Sequence, residues 1–179
     1  MENWIKELPA KQQVEEYELY LTKNEMAVVK EVIIDRQWGT SCFNDLPDLD
    51  GEELKNYIYA AAEITGKYNN IAGVYQNHQW INPNKNGEYK ISLSPMAISE
   101  LKEYACGVDD YFCMGCDDPD DYLEKSNGMN LETWEKHLES LCNKCEKCLE
   151  QIKKSIRLDN QLEASASYIK QDIKSKGGR

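Results

Sequence analysis
No apolar run in this 179-residue chain reaches the roughly 18–20 residues that a bilayer-spanning helix needs, so no transmembrane helix is expected. The opening residues, MENWIKELPAKQQ, lack a basic leader followed by an apolar stretch, so no secretory signal is expected and the chain reads as cytoplasmic. Histidine is scarce: only His78 and His137 occur, and neither sits in a catalytic or metal-ligating motif. No H-E-x-x-H, G-x-S-x-G or P-loop sequence is present, and an enzyme is not expected. Positive charge is also in short supply. Against 32 acids stand 21 bases, a net charge of −11, and a phosphate backbone attracts the opposite sign, so direct nucleic-acid binding is not expected.

What is present suffices for a core. At 41% hydrophobic residues the chain can bury a globular interior, in one domain or one domain with a helical appendage. The clearest helix of the first half starts at Asp50 with Glu53 three residues on. It lines up Leu54, Tyr57, Ile58, Ala61 and Ile64, and is expected to stop at Gly66. Residues 13–23 fit either period, with Tyr17, Leu19 and Leu21 alternating as in a strand. Asn24 is a candidate cap for a helix through Met26, Val29, Val32 and Ile33, although the β-branched run there also suits a strand.

Residues 71–94 read as a small antiparallel β element turning on Asn86-Gly87, with Tyr89, Ile91 and Leu93 sharing a face. Ser94-Pro95 then opens a helix over 96–106. The longest pattern begins after Asn130: Leu131, Trp134, Leu138, Leu141, Cys145, Cys148, Ile152 and Ile156 recur at steps of 3 and 4. It falters at Leu158-Asp159-Asn160, where a kink, a loop or a fold-back would fit. The expected fold is therefore α+β and predominantly α-helical. A mixed core spans 1–107, an acidic cysteine-containing loop 108–130, and a long C-terminal helix or helical hairpin 131–174, part of the same unit or dimerising. A flexible tail of 175–179 follows.

Charge is unevenly spread: residues 1–125 carry a net −13 and residues 126–179 a net +2. The densest acidic run, residues 109–124, holds Asp109, Asp110, Asp117, Asp118, Asp120, Asp121 and Glu124 and no base, with Tyr111, Phe112 and Tyr122 interleaved. Such runs ordinarily solvate a surface. Carboxylates spaced about 6–7 Å apart along extended chain can also stand in for successive phosphates and meet a basic protein surface, steered by long-range attraction and weakened by salt. Calcium is a third reading, but DDPDDYLEKSNG lacks the EF-hand order. Eleven tyrosines, a residue type enriched at interfaces, favour an interaction protein. The four tryptophans read as core anchors.

Seven cysteines, an odd number, argue against a disulfide framework and for reduced thiols. Cys113 and Cys116 form one C-x2-C pair, and Cys142 and Cys145 form another with 25 residues between them. Two such pairs are the usual enclosure of a structural zinc, and these four are the candidate ligands. Against this, Cys145 and Cys148 also fit the apolar stripe as small buried hydrophobes. The run Cys142, Cys145, Cys148 suggests an iron–sulfur cluster more weakly.

In size, charge, lack of enzyme motifs and Asn/Lys/Ile/Tyr-rich composition, the chain resembles the small acidic antagonists of bacteriophages and mobile elements, the anti-CRISPR and antirestriction proteins. The resemblance covers no alignable segment and transfers no residue role. It implies a non-enzymatic inhibitor that occupies the basic nucleic-acid-binding surface of a Cas nuclease or restriction-type enzyme. Asp109, Asp110, Tyr111, Asp117, Asp118, Asp120, Asp121 and Tyr122 are the candidate partner-binding residues. The alternative is a zinc-stapled adaptor module, and a homodimer through the C-terminal helix is a further expected association.

Overall fold
Alternating apolar residues decide the first ambiguous segment. Leu19 and Leu21 point into the core while Glu18 and Tyr20 face outward, the period-2 signature of β1 (Tyr17–Thr22). The computed structural model describes residues 3–35, 51–74, 76–106 and 118–176. Two single turns, α1 (Asn3–Lys6) and α2 (Ala10–Gln13), precede β1. After it come α3 (Lys23–Asp35), α4 (Gly51–Ile71), β2 (Glu88–Leu93), α5 (Pro95–Cys106), α6 (Pro119–Asn127) and α7 (Leu131–Lys176). The fold is α+β, mostly α, as expected.

β2 has its three apolar residues, Tyr89, Ile91 and Leu93, on the buried face, as their spacing predicts. Its partner is not the one expected. Among the described residues there is no local hairpin within 71–94. β2 pairs antiparallel with the distant β1, with Leu19 opposite Ile91 and Leu21 opposite Tyr89. The turn at Asn86-Gly87 does form: the amides of Asn86 and Glu88 donate to the Asn84 side chain at 2.8 and 3.0 Å. Residues 79–81 are not a strand, because α4 continues to Ile71 and its last carbonyl takes the Ile81 N–H at 2.9 Å. Pro83 also removes a donor from that side of the turn.

α4 passes straight through Gly66. Burial of Tyr68 and Ile71 on the next turn outweighs the roughly 1 kcal/mol a helical glycine costs. The real stop is Gly73, at φ +65°, where a Cβ would lie 2.0 Å from the Gln79 carbonyl oxygen. Only glycine admits both that conformation and that approach.

α3 is helical despite its β-branched run, because Met26, Val28, Val29, Val32 and Ile33 all enter the core. Its cap is Thr22, not Asn24. The Thr22 hydroxyl accepts from the Glu25 N–H at 3.3 Å, and the Glu25 carboxylate accepts from the Thr22 N–H at 2.6 Å, a reciprocal capping box. At α5 the expected cap is found: Ser94 Oγ accepts from the Ala97 N–H at 3.3 Å. The Ser94 N–H and hydroxyl both donate to Glu63 of α4, at 2.6 and 2.7 Å.

α7 is one uninterrupted helix of 46 residues with no break at Leu158-Asp159-Asn160. Trp134, Leu138, Leu141, Cys145, Leu149 and Ile152 are buried, packed along α3 and α5. Beyond Ile156 the face changes: Leu158 and Leu162 are 59% and 67% exposed.

Candidate functional site
Asp118-Pro119 begins a helix where a loop was expected. The Asp118 carboxylate accepts from the Asp121 N–H at 3.1 Å, Pro119 occupies the first position, and Gly128 in the left-handed region ends α6. Those signals were all in the sequence, hidden by its acidity. Asp120 accepts from the Leu131 N–H at 2.6 Å and so holds the start of α7, where Asn130 also caps through the Thr133 N–H at 2.9 Å. Asp121 pairs with Lys125 at 2.6 Å. Tyr122 keeps its ring 38% exposed but donates its hydroxyl inward to buried Glu31 at 2.9 Å.

The structure thus brings together Asp118, Asp120, Asp121 and Tyr122, and gives each a local structural task. Asp109, Asp110, Tyr111, Asp117, Cys113 and Cys116 lie outside the described residues.

Composition alone did not reveal that the acidic surface continues into α7. From Asp118 to Glu139, Glu124, Glu132, Glu135 and Glu139 join the three aspartates. All seven carboxylates are exposed and accompanied by two lysines, Lys125 and Lys136. Each lysine pairs within its own helix, Lys136 with Glu132 at 2.7 Å. Other exposed acids are matched across elements: Glu16 with Lys67 at 2.6 Å, Glu18 with Lys90 at 2.9 Å, and Glu146 with Lys102 at 3.5 Å. Of the seven carboxylates on α6 and the first turns of α7, Asp121 and Glu132 pair with lysines of their own helices, and Asp118 and Asp120 accept from backbone amides at helix starts.

The cysteines divide in function. Cys142 is disulfide-bonded, whereas Cys145 and Cys148 are free. This departs from the expectation of reduced thiols throughout. Burial in the apolar seam pushes the Cys145 thiol far above its ordinary pKa, with lesser repulsion from Cys148 and Glu25. Zinc at the Cys142–Cys145 pair would require reduction of the first and ionisation of the second, which burial opposes. Among the described residues, no cluster of three or more histidine, cysteine or carboxylate side chains is arranged to hold a metal.

His137, on the flank of α7, meets Asn24 across α3 at 2.9 Å. His78 is exposed at φ 56° in the turn after α4, where histidine is among the residue types that tolerate a left-handed conformation.

A cleft of about 240 Å³ opens between α3, α4, α6 and residue 80. α3 supplies Lys23, Asn24, Ala27 and Lys30, which share a face by their 4- and 7-residue spacing. Tyr68 and Trp80 form an aromatic wall with their rings edge-on at 6.1 Å, and Tyr89 supports Trp80 from behind at 5.1 Å. Ser126 and Asn127 of α6 close the far side. Burial, reinforced by Glu31, pushes the Tyr68 phenol up to about 12, so it remains a protonated donor.

No helix among the described residues is long and apolar enough to cross a membrane. No family model, curated protein or solved structure matches the chain.

Proposed function
We propose that the protein is a non-enzymatic acidic binding protein that inhibits a nucleic-acid-processing enzyme, a Cas effector or restriction-type nuclease, by occupying its basic nucleic-acid-binding surface. The observation that carries this reading is the end formed by α6 and the start of α7, where seven exposed carboxylates stand against two lysines. A surface of this kind attracts clustered Lys and Arg over about a Debye length, and the attraction weakens as salt rises. The exposed ring of Tyr122 offers an amphipathic anchor beside the charges.

The test is capture from bacterial lysate at low and high salt, followed by competition with DNA or RNA and by a cleavage assay on the retained enzyme. The discriminating variant reverses Asp121, Glu124, Glu135 and Glu139 to lysine. It spares Asp118 and Asp120, whose capping bonds hold the helix ends. Loss of binding and inhibition with unchanged circular dichroism is the expected result. Undiminished inhibition by this variant refutes the reading.

A further inference from the structure
Within a protein of net charge −11, the cleft between α3, α4 and α6 has an opposite character. Of the residues that line it only Lys23 and Lys30 are charged, and both are positive. They stand one above the other, two turns apart on α3, with Ala27 between them leaving the floor open. Facing them is the wall of Tyr68 and half-buried Trp80.

Behind the cleft, Glu31 is buried and already engaged. It accepts from Asn127 at 2.8 Å and from Tyr122 at 2.9 Å, with the Lys30 ammonium at 4.0 Å. It therefore partly offsets the Lys30 charge and holds Asn127 in place at the rim.

We propose that this cleft is a binding site for a small planar aromatic anion, a single ring system carrying a phosphate or carboxylate. The ring would pack against Tyr68 and Trp80 and the anionic group would reach Lys23 and Lys30. Three properties carry this assignment. Aromatic walls reward a flat apolar face. Two ammonium groups along one wall reward an anion and penalise a cation. The volume of about 240 Å³ lies below the ~300–1,000 Å³ of drug-sized sites, which selects one ring system with a short anionic arm. The site shares no carboxylate with the acidic end and does not rest on the inhibitor reading, so either can fail alone.

The experiment is titration calorimetry of the full chain with phenyl phosphate and adenosine 5′-monophosphate, with inorganic phosphate and adenosine as controls. Tryptophan fluorescence serves as the second readout. Saturable binding of at least one aromatic anion is expected, tighter than either control by about tenfold. The double variant Lys23→Ala/Lys30→Ala should weaken it by about tenfold or more. Ala27→Leu, which fills the floor, should abolish it. Trp80→Phe should remove the fluorescence response while retaining calorimetric binding. Absence of saturable binding of both aromatic anions at millimolar concentration overturns the proposal. So does binding that the lysine pair and Ala27→Leu leave unchanged in variants whose melting temperature is intact.

Discussion
Lys144 of α7 donates to the buried carboxylate of Glu25 on α3 at 2.8 Å and to the Tyr20 carbonyl of β1 at 2.7 Å. Ser140, one turn earlier on α7, donates to the same carboxylate at 2.7 Å. Glu25 thus closes the capping box of α3 and ties together a strand end and two helices far apart in sequence. Lys144→Met should cost about 2–3 kcal/mol in urea denaturation, below the range for a fully buried pair because Lys144 is 30% exposed.

The same carboxylate predicts a pH dependence. Burial acts to raise the pKa of Glu25, but Lys144, Ser140 and the Thr22 N–H outweigh it and hold the value below the ordinary one. A group whose pKa falls on folding adds stability above its unfolded value and loses it as pH drops through the folded one. Wild-type stability should therefore decline on the acid side of the ordinary glutamate range. In Lys144→Met the folded pKa of Glu25 moves up toward its unfolded value, so the acid-linked loss of stability should be smaller than in the wild type. An equal loss of unfolding free energy between neutral and acid pH in the two proteins would contradict this.

A glycine inside α4 and the glycine that stops it should respond oppositely to alanine. At Gly66 nothing stands within 4 Å, and Gly66→Ala should raise stability by about 0.5–1 kcal/mol. At Gly73 the added methyl meets the Gln79 carbonyl at positive φ, and Gly73→Ala should cost about 1–3 kcal/mol. Thermal melts of the two variants decide the matter.

The cysteines predict a pattern of alkylation. In the native protein without reductant, peptide mass spectrometry should find Cys142 and Cys145 unmodified, the first in its disulfide and the second inside the α7 seam. After reduction under native conditions Cys142, half-exposed, should react and Cys145 should not. Modification of Cys142 before reduction would show the disulfide to be absent.

Leu158→Glu with Leu162→Glu should change stability by no more than about 0.5 kcal/mol at low protein concentration, because both side chains already face solvent. Sedimentation of the two proteins at high concentration then reads whether α7 pairs with a second copy. A mass that falls from dimer to monomer in the variant would place the pairing at these two exposed leucines.

Local signals were legible where one element contains its own cause. Ser94-Pro95 capped α5 as its residue types require, and Tyr89, Ile91 and Leu93 took one face. The stripe from Leu131 to Ile156 packed against the core along α7, with Leu131, Cys148 and Ile156 partly buried and Leu149 added. The acidic cluster was legible as composition, but its shape was not. Asp118, Asp120 and Asp121 proved to be caps and a helical ion pair, and the surface gained Glu132, Glu135 and Glu139 from the next helix.

The aromatic cleft was invisible along the chain. Lys23, Lys30, Tyr68, Trp80 and Asn127 come from four separate segments, and no spacing connects them.

By itself, then, the sequence determined the periodic faces, the starts of α5 and α7 and the sign of the surface charge, because these depend on neighbours within about a helical turn. Tertiary structure alone decided that β2 pairs with β1 across 65 intervening residues, that α4 runs through Gly66, and that buried Glu25 and Glu31 find their donors on α6 and α7. Strand pairing and the burial of a carboxylate depend on which surfaces exclude water together, and that is set only when the distant helices close on the sheet.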